Sequence, residues 1–254
     1  IRPDYWDYQW KIDHKFDKYN SISFIGLGSI DDFSVVAPDD FDVEQQSTIE
    51  QVPIIEQKTR TLGLSWNRNF KSGKGRMRTV LSSNRLQNLF SRFSDNEKKK
   101  GVIFENDSQE IETKLRVKVI RFPNQWKFSY GLNFQNSTYK NNTFSLLNDF
   151  NYDTNFSLFK YGFFANGSRS FINNRLSFSF GFRFDADTFS KGSSLFENLS
   201  PRLATSYNIS QDGKWKLNSS IGRYYKIPTY TMLGFRDNKG IYITKKVALT
   251  QGAT

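Results

Sequence analysis

The chain has 254 residues, a net charge of +11, a mean hydropathy of -0.62 and no cysteine. The lack of thiols excludes disulfides and cysteine-ligated metal sites, and no run approaches the ~18 apolar residues of a membrane helix. Aromatic residues make up 17% of the chain, a content that is high for a soluble domain and typical of the aromatic girdles of membrane barrels.

The first predicted strand alternates along Trp6 to Phe16, with aromatic and aliphatic side chains on one face and charged or polar side chains on the other. Asp17 to Asn20 predict a tight turn, and residues 21–30 the returning strand. His14 is the only histidine. Since it lies on the apolar face, we interpret it as an interfacial aromatic residue and not as a metal ligand.

A long acidic connection is predicted from Asp31 to Gln57, since a casual loop in a compact domain is much shorter. Its carboxylate pairs, Asp31-Asp32 and Asp39-Asp40, could bind a divalent cation, but solvated loop charges are the preferred interpretation. The next strands are predicted around Leu64 and Thr79. A second long polar connection is then predicted from Asn88 to Ser108.

The stretch Ile111 to Tyr139 predicts a long hairpin with its tight turn at Pro123-Asn124. Each arm reaches the ~9–11 residues that a tilted strand needs to cross a bilayer. A third polar connection is predicted from Lys140 to Thr154. Later strands include the strongest aromatic stripe of the chain, Leu176, Phe178, Phe180, Phe182 and Phe184.

Tight turns and long polar connections alternate along the whole chain, so all the tight turns lie at one end of the sheet. That asymmetry is typical of an outer-membrane barrel with short periplasmic turns and long extracellular loops. A soluble sandwich, a propeller or a lipocalin-like barrel would show shorter strands, or an apolar face turned inward. We therefore predict an all-β fold: about ten antiparallel strands of a transmembrane β-barrel, with residues 1–254 forming part of one barrel domain.

The sequence supports neither nucleic-acid binding nor catalysis. The one dense basic cluster is Lys98, Lys99 and Lys100, and the other cations are scattered over alternate strand positions. No histidine pair, metal-spaced cluster or phosphate loop is present in the sequence. The expectation is a protein that is not an enzyme, with no cofactor, no metal and no nucleic-acid partner.

The segment from Asn198 to Gly234 resembles the barrel of TonB-dependent outer-membrane receptors. The matching positions are Ser200-Pro201-Arg202 before one strand and Gly222, Arg223, Tyr224, Tyr225, Lys226 and Pro228 at the end of the next. Phe180 to Phe189 also looks like the strand that precedes this motif in the family. The specific match covers about Leu176 to Gly234, and the rest of the chain agrees in its strand and loop rhythm.

The resemblance implies a barrel of about 22 strands filled by an N-terminal plug domain and driven by a TonB complex. Such receptors import siderophores, haem, cobalamin, oligosaccharides or peptides, some with a surface lipoprotein. This chain shows neither a plug nor a TonB-contacting stretch, so we expect it to be a segment of the larger barrel. Its surroundings would be outer-membrane lipid and lipopolysaccharide.

Selectivity in a plugged barrel would come from residues of the lumen and of the loop bases. Alternation with apolar neighbours predicts six lumen-facing or plug-facing residues: Lys114, Arg116, Lys118, Arg183, Asp185 and Arg202. Four residues after the last full strand could bind an anionic or planar ligand: Tyr224, Tyr225, Tyr230 and Arg236. Docking of the plug explains the charges as well, and an aromatic belt explains the tyrosines.

Three functions remain open at this point. The first is an energy-coupled importer. The second is a passive porin, and the third is a structural or accessory barrel subunit of a larger outer-membrane assembly.

Overall fold

The structure is a computed structural model. The structure describes residues 2–34, 52–147, 149–189, 195–210, 212, 214–225 and 227–235. Asp39-Asp40, Arg236 and the further strand expected from Ile241 lie outside the described residues. No helix in the described ranges has the length and apolarity needed to cross a membrane.

Ten strands and one short helix make up the described part of the chain. The strands are β1 (Arg2–Lys15), β2 (Asn20–Ser34), β3 (Ile54–Asn69), β4 (Gly75–Asp95), β5 (Lys100–Arg121), β6 (Lys127–Ser145), β7 (Phe150–Phe171), β8 (Leu176–Asp187), β9 (Ser200–Asn208) and β10 (Lys216–Gly222). The helix is α1 (Tyr230–Gly234). The predicted all-β fold and the predicted number of strands are confirmed.

The strands form one sheet in which each is hydrogen-bonded to its sequence neighbour, in the order β1 to β10. Every pair is antiparallel. The register carries each strand's alternation across the sheet, because residues directly opposite one another share a face. Ile12, for example, pairs with Phe24, Phe24 with Leu64, and Leu64 with Leu81.

One face of the sheet, here called the apolar face, consists of large apolar side chains that remain exposed. Its members include Trp6, Tyr8, Trp10, Ile12, Phe24, Leu64, Trp66, Leu81, Leu115, Tyr130, Leu132, Phe180, Phe182, Leu203, Leu217 and Ile221. A soluble protein rarely exposes a contiguous apolar patch of that extent. The opposite face, here called the polar face, carries the charged residues that alternate with them.

Close packing on the apolar face depends on glycines. A Cβ added to Gly26 would lie 2.3 Å from the indole of Trp10, and one added to Gly167 would lie 2.6 Å from Cζ of Phe180. The aromatic rings therefore lie across the backbone of the neighbouring strand. These glycines interrupt the apolar alternation of their strands. Each marks a site where an aromatic ring of the neighbouring strand lies over the backbone.

Two of the three predicted polar connections are wrong. The stretch Asn88 to Ser108 forms the ends of β4 and β5, joined by a turn at 96–99, and Lys140 to Thr154 forms the ends of β6 and β7. These strands run to 19–22 residues, about twice the length needed to cross a bilayer. The backbone ladder continues through this more polar sequence, because strand pairing needs only main-chain hydrogen bonds.

The first polar connection is shorter than predicted. β2 continues to Ser34 and β3 begins at Ile54, so Asp31 and Asp32 lie within a strand. Asp31 accepts a hydrogen bond of 3.0 Å from the hydroxyl of Ser29. Among the described residues no group of three or more His, Asp or Glu side chains is arranged to hold a metal ion.

Candidate functional site

The register places all six predicted lumen residues on the polar face. Across the sheet, Arg116 pairs with Asn133, Asn133 with Gly162, and Gly162 with Asp185. Lys118 pairs with Gly131, Gly131 with Phe164, and Phe164 with Arg183. Gly181 pairs with Arg202. The shared face follows from the alternation of each strand, because a period of two is fixed once a strand's register is fixed.

The segment 227–235 follows β10 and docks back onto the polar face, across β5, β6 and β7. Its contacts centre on a set of side chains that we call the tyrosine hub: Tyr230, Glu112, Gln135, Ser137 and Lys160. The phenol of Tyr230 donates to the carboxylate of Glu112 and lies 2.9 Å from Oγ of Ser137. It accepts hydrogen bonds from Nε2 of Gln135 at 3.0 Å and from Nζ of Lys160 at 3.1 Å.

Apolar side chains pack next to the tyrosine hub. Leu233, 2% exposed, and Tyr230, 8% exposed, join a buried cluster with three strand residues and Phe189. The strand residues are Tyr139, Phe156 and Leu158. Tyr152 adds a hydrogen bond from its hydroxyl to the carbonyl of Gly234. A helix of five residues is not stable alone, so these contacts hold α1 in place.

Burial raises the pKa of the Tyr230 phenol far above its ordinary value, and the negative charge of Glu112 raises it further. Tyr230 is therefore the neutral hydrogen-bond donor to Glu112 across the physiological range. Lys160 brings a positive charge to the same point, with its ammonium 5.0 Å from the centre of the Tyr230 ring. The hub thus satisfies a carboxylate, an ammonium and a phenol together.

A second feature of the polar face is a concavity of about 410 Å³ nearer the short-turn end. Lys118, Lys127, Arg202, Asn166 and Tyr224 line it, and we call it the basic concavity. The guanidinium carbon of Arg202 lies 4.5 Å from the centre of the Tyr224 ring. In the described part of the chain its three cations make no ion pair, so the concavity suits an anionic partner with a flat or apolar portion.

Other predicted charges are paired within the sheet itself. Lys114 forms an ion pair with Glu112. Arg183 bonds Asp185 through both its Nε and its Nη2 atom, the latter at 2.8 Å. Arg116 lies over the ring of Phe164, 5.4 Å from its centre. These residues need less from an outside partner than the cations of the basic concavity do.

The three predicted ligand residues that the structure describes do not form one cluster. Tyr224 and Tyr225 are 67% and 36% exposed and lie beside Arg202 and Arg223. Tyr230 is buried in the tyrosine hub, several strands away. Arg236 lies outside the described residues.

Sequence reasoning missed most of the tyrosine hub. Lys160 alternates with Phe159 and Tyr161 and could have been found by the rule that identified Lys114. Glu112 belongs to the same alternation. Gln135 and Ser137 carry no such signal, because uncharged polar residues occur throughout this face. The contact of Tyr230 with three strands depends on how the chain turns after β10, which no local pattern specifies.

Another concavity of about 510 Å³ at the short-turn end of the polar face has a wall of small side chains next to Lys127 and Arg169. Its wall includes Ser168, Ser170, Ser177, Ser179, Ala204 and Ser220. Hydroxyls on short side chains can donate or accept hydrogen bonds and leave room for another backbone to approach. This wall suits contact with a folded protein surface.

Comparison with protein families gives one match, described as "TonB dependent receptor-like, beta-barrel", over residues 4–247. No curated protein sequence matches the chain.

Three solved structures resemble the fold. They are the copper transporter OprC (12% identity, TM-score 0.67, 92% of this chain and 38% of that chain), the alcaligin outer-membrane receptor FauA from Bordetella pertussis (8%, 0.62, 94% and 38%) and FpvAI in its complex with pyocin S2 (11%, 0.61, 94% and 36%). The chain spans less than two fifths of the length of each. At identities this low, the structural similarity establishes a shared fold alone.

Proposed function

The chain belongs to the TonB-dependent receptor family of outer-membrane β-barrels, and from this membership we propose that the protein takes up a scarce large nutrient by TonB-coupled active transport. The family consists of receptors and transporters of the Gram-negative outer membrane. Residues 1–254 contribute consecutive strands to one barrel domain. The apolar face then meets lipid and the polar face lines the lumen.

The observation that carries the proposal is the docked segment 227–235. A chain that leaves β10 and lies across β5 to β7 on the lumen side narrows the barrel. A passive pore keeps an aqueous channel open, whereas a receptor for a large ligand needs a closed, shaped interior. The docked segment therefore favours a gated importer over a porin.

The basic concavity and the small-residue wall suit an N-terminal plug domain. Lys118, Lys127 and Arg202 would meet plug carboxylates, because charges inside a filled barrel need partners of opposite sign. Ser168, Ser179 and Ser220 would contact the plug backbone. Force from a TonB complex would act on that plug, since the strands themselves are held by continuous ladders.

Ligand contact is assigned to the exposed aromatic residues after β10. Tyr224 and Tyr225 would present flat rings beside the guanidinium groups of Arg202 and Arg223. A siderophore, haem, cobalamin, an oligosaccharide or a peptide could use such contacts, and a surface lipoprotein could deliver the larger ones.

Uptake in cells tests the proposal. A strain lacking the intact receptor is compared with the same strain complemented by the receptor, and with a complemented strain that lacks TonB, on a panel of these nutrients as limiting sources. We expect one nutrient to be lost both without the receptor and without TonB.

Two other results would overturn the proposal. Leakage of small solutes that is independent of TonB would identify a passive porin. Normal uptake of every nutrient, together with a partner that co-purifies stably, would identify an accessory subunit of a larger outer-membrane assembly.

A further inference from the structure

The outer ends of β4, β5 and β6 form a small pocket, which we call the mouth pocket. Its volume is about 290 Å³. Five apolar residues line it: Pro53, Phe90, Ile103, Phe104 and Leu147. Two polar residues, Arg92 and Ser145, complete the lining. The pocket therefore combines an apolar wall with a single cation.

The register places the mouth pocket on the polar face, which lines the lumen. Phe90 and Arg92 lie six and eight positions along β4 from Asn84, and Asn84 pairs with Glu112 of the tyrosine hub. An even separation keeps side chains on one face of a strand. Arg92 pairs with Phe104 of β5, so both strands contribute to the pocket from the same face.

A β-bulge and an aromatic pair shape the pocket. The register between β4 and β5 shifts after Arg92, and Ile103 stands opposite no residue of β4. A bulge of this kind turns side chains out of the regular alternation. The rings of Phe90 and Phe104 lie edge to face, with 5.6 Å between their centres and 87° between their planes. The shift and the ring pair together make the sheet concave at this point.

The mouth pocket lies beyond the part of the barrel that lipid surrounds. Phe90 is 15 positions from Gly75, the short-turn end of β4, and Phe104 is 17 positions from Arg121, the short-turn end of β5. With ~3.3 Å per residue and a tilt of ~40°, these counts correspond to roughly 38–43 Å. The apolar band of an outer-membrane barrel is about 25 Å tall. Since short turns mark the periplasmic end, the pocket faces the entrance from the cell exterior.

Arg92 has no partner of opposite charge in this part of the sheet. Within the described ranges its Nε atom is buried without a hydrogen bond, and no ion pair includes it. On the polar face of β4 to β6 the nearest carboxylate is Glu110, six positions along β5 from Phe104, or about 20 Å between Cα atoms. Asp31, on β2, already accepts the hydroxyl of Ser29. A buried guanidinium nitrogen without an acceptor costs free energy, and a carboxylate from outside the chain would satisfy it.

We propose that the mouth pocket binds an organic carboxylate, with the carboxylate on Arg92 and an attached apolar group against Phe90 and Phe104. An arginine fork matches the two oxygens of a carboxylate, and aromatic rings pack well against a further flat ring. A volume of about 290 Å³ holds a group of one or two rings and excludes a whole large nutrient. The pocket therefore recognises one end of its ligand.

The inference deepens the proposed uptake function and rests on it in one respect, namely that the nutrient itself supplies this group. The imported molecule then carries a carboxylate next to an apolar portion, which a neutral oligosaccharide lacks. Phe235, at the end of the docked segment, packs on Tyr152, and Tyr152 lies in the same row of the sheet as Phe90, three strands away. A large ligand held in the mouth pocket would reach the docked segment, about 14 Å away.

The test is calorimetric titration of the intact receptor in a neutral detergent with three probes: 2-naphthylacetate, its neutral analogue 2-naphthylethanol, and acetate. We expect the wild type to bind 2-naphthylacetate at least about 10-fold more tightly than either of the others, because only that probe combines the ring with the charge. Arg92→Gln should bind 2-naphthylacetate roughly 10-fold more weakly than the wild type does. Its affinity for 2-naphthylethanol should stay the same.

Two further variants separate the ring from the charge. Phe90→Ala should weaken the binding of both naphthyl probes by the same factor, because it removes part of the apolar wall and leaves Arg92 in place. The matched control is Arg76→Gln, which removes an exposed arginine from the polar face of the same strand, at its short-turn end. It should bind all three probes as the wild type does.

Three results would overturn the proposal: equal binding of 2-naphthylacetate by Arg92→Gln and the wild type, an equal loss in Arg76→Gln, or no preference of the wild type for 2-naphthylacetate over 2-naphthylethanol. The last comparison needs no variant, so it is decisive even if Arg92→Gln does not fold. These outcomes are separate from those of the uptake experiment. Leakage independent of TonB would refute the transport function without changing binding of the probe to Arg92 in the purified receptor.

Discussion

At the scale of single residues, the side of the sheet decides what a substitution costs. Phe180 and Ser179 are neighbours on β8, but Phe180 lies on the apolar face, against Trp126 and over Gly167. Ser179 lies on the polar face, in the wall of small residues. The two positions form a matched pair for testing which face meets lipid.

Phe180→Arg should impair folding into the membrane, because it places a charge in the lipid-facing band at a cost of about 2–4 kcal/mol near the midplane. Ser179→Arg should fold nearly as well as the wild type. The folded yield in lipid vesicles measures both. Equal yields would contradict the assignment of the faces.

Gly26→Ala should also destabilise the barrel. The added methyl would overlap the indole of Trp10, and displacing that ring should cost about 1–3 kcal/mol. Thermal unfolding measures the loss, and a shift in tryptophan emission would report the movement of Trp10. Gly63→Ala is the control, because its Cβ would meet only the flexible side chain of Ile25, at 3.0 Å. An equal effect of the two changes would show that ring coverage is not the cause.

At the scale of elements, the strands extend well beyond the bilayer. β5 and β7 each have 22 residues, and in the outer half of β7 the apolar face gives way to Asp153, Asn155 and Ser157. The predicted strand ends lie where large apolar residues stop on the apolar face, and the paired strands continue past that point. Hydropathy reports the surroundings of a strand, while backbone pairing decides its length.

The docked segment 227–235 depends on the tyrosine hub. Tyr230→Phe removes the donor to Glu112 and the acceptor for Lys160. A hydrogen bond to a charged group contributes about 1.5–3 kcal/mol, so docking should weaken roughly 10- to 100-fold. Limited trypsin digestion after Arg223 and Lys226 measures the released segment, and cleavage there should become faster.

The matched control for this prediction is Tyr224→Phe, because the Tyr224 ring is exposed and its contact with Arg202 does not use the hydroxyl. Cleavage as slow in Tyr230→Phe as in Tyr224→Phe would show that packing of Leu233 alone holds the segment. Leu233→Ala, which empties a site 2% exposed, would then be the variant that releases it.

At the scale of the whole molecule, ten strands in one open order leave β1 and β10 as edges within the described part of the sheet. Unpaired backbone groups at such an edge cost several kcal/mol each in hydrocarbon. Barrel closure by further strands removes that cost, which agrees with a chain that spans only 38% of OprC and of FauA.

The intact protein should accordingly be found in the outer-membrane fraction and migrate as a compact band on a detergent gel until it is boiled. Continuous ladders resist detergent at room temperature, whereas heating opens the closed sheet. A control sample unfolded in urea before loading should run at the boiled position without heating. A band whose position does not change on boiling would contradict a closed barrel.

The sequence by itself determined the fold class, the two faces and the short turns. A strand's alternation is local, and Trp6 to Phe16 shows it without any knowledge of the partner strand. Membership of the six predicted charges in one face follows from the same period of two.

Only the tertiary structure decided where those side chains meet. The pairing of Arg60 with Arg85 requires the register between β3 and β4, and the tyrosine hub joins residues more than a hundred positions apart, Glu112 and Tyr230. The extension of the strands into polar sequence likewise depends on a partner strand of equal length. Contacts of this kind are set by the whole sheet, because each is the joint result of several strands and no single segment encodes it.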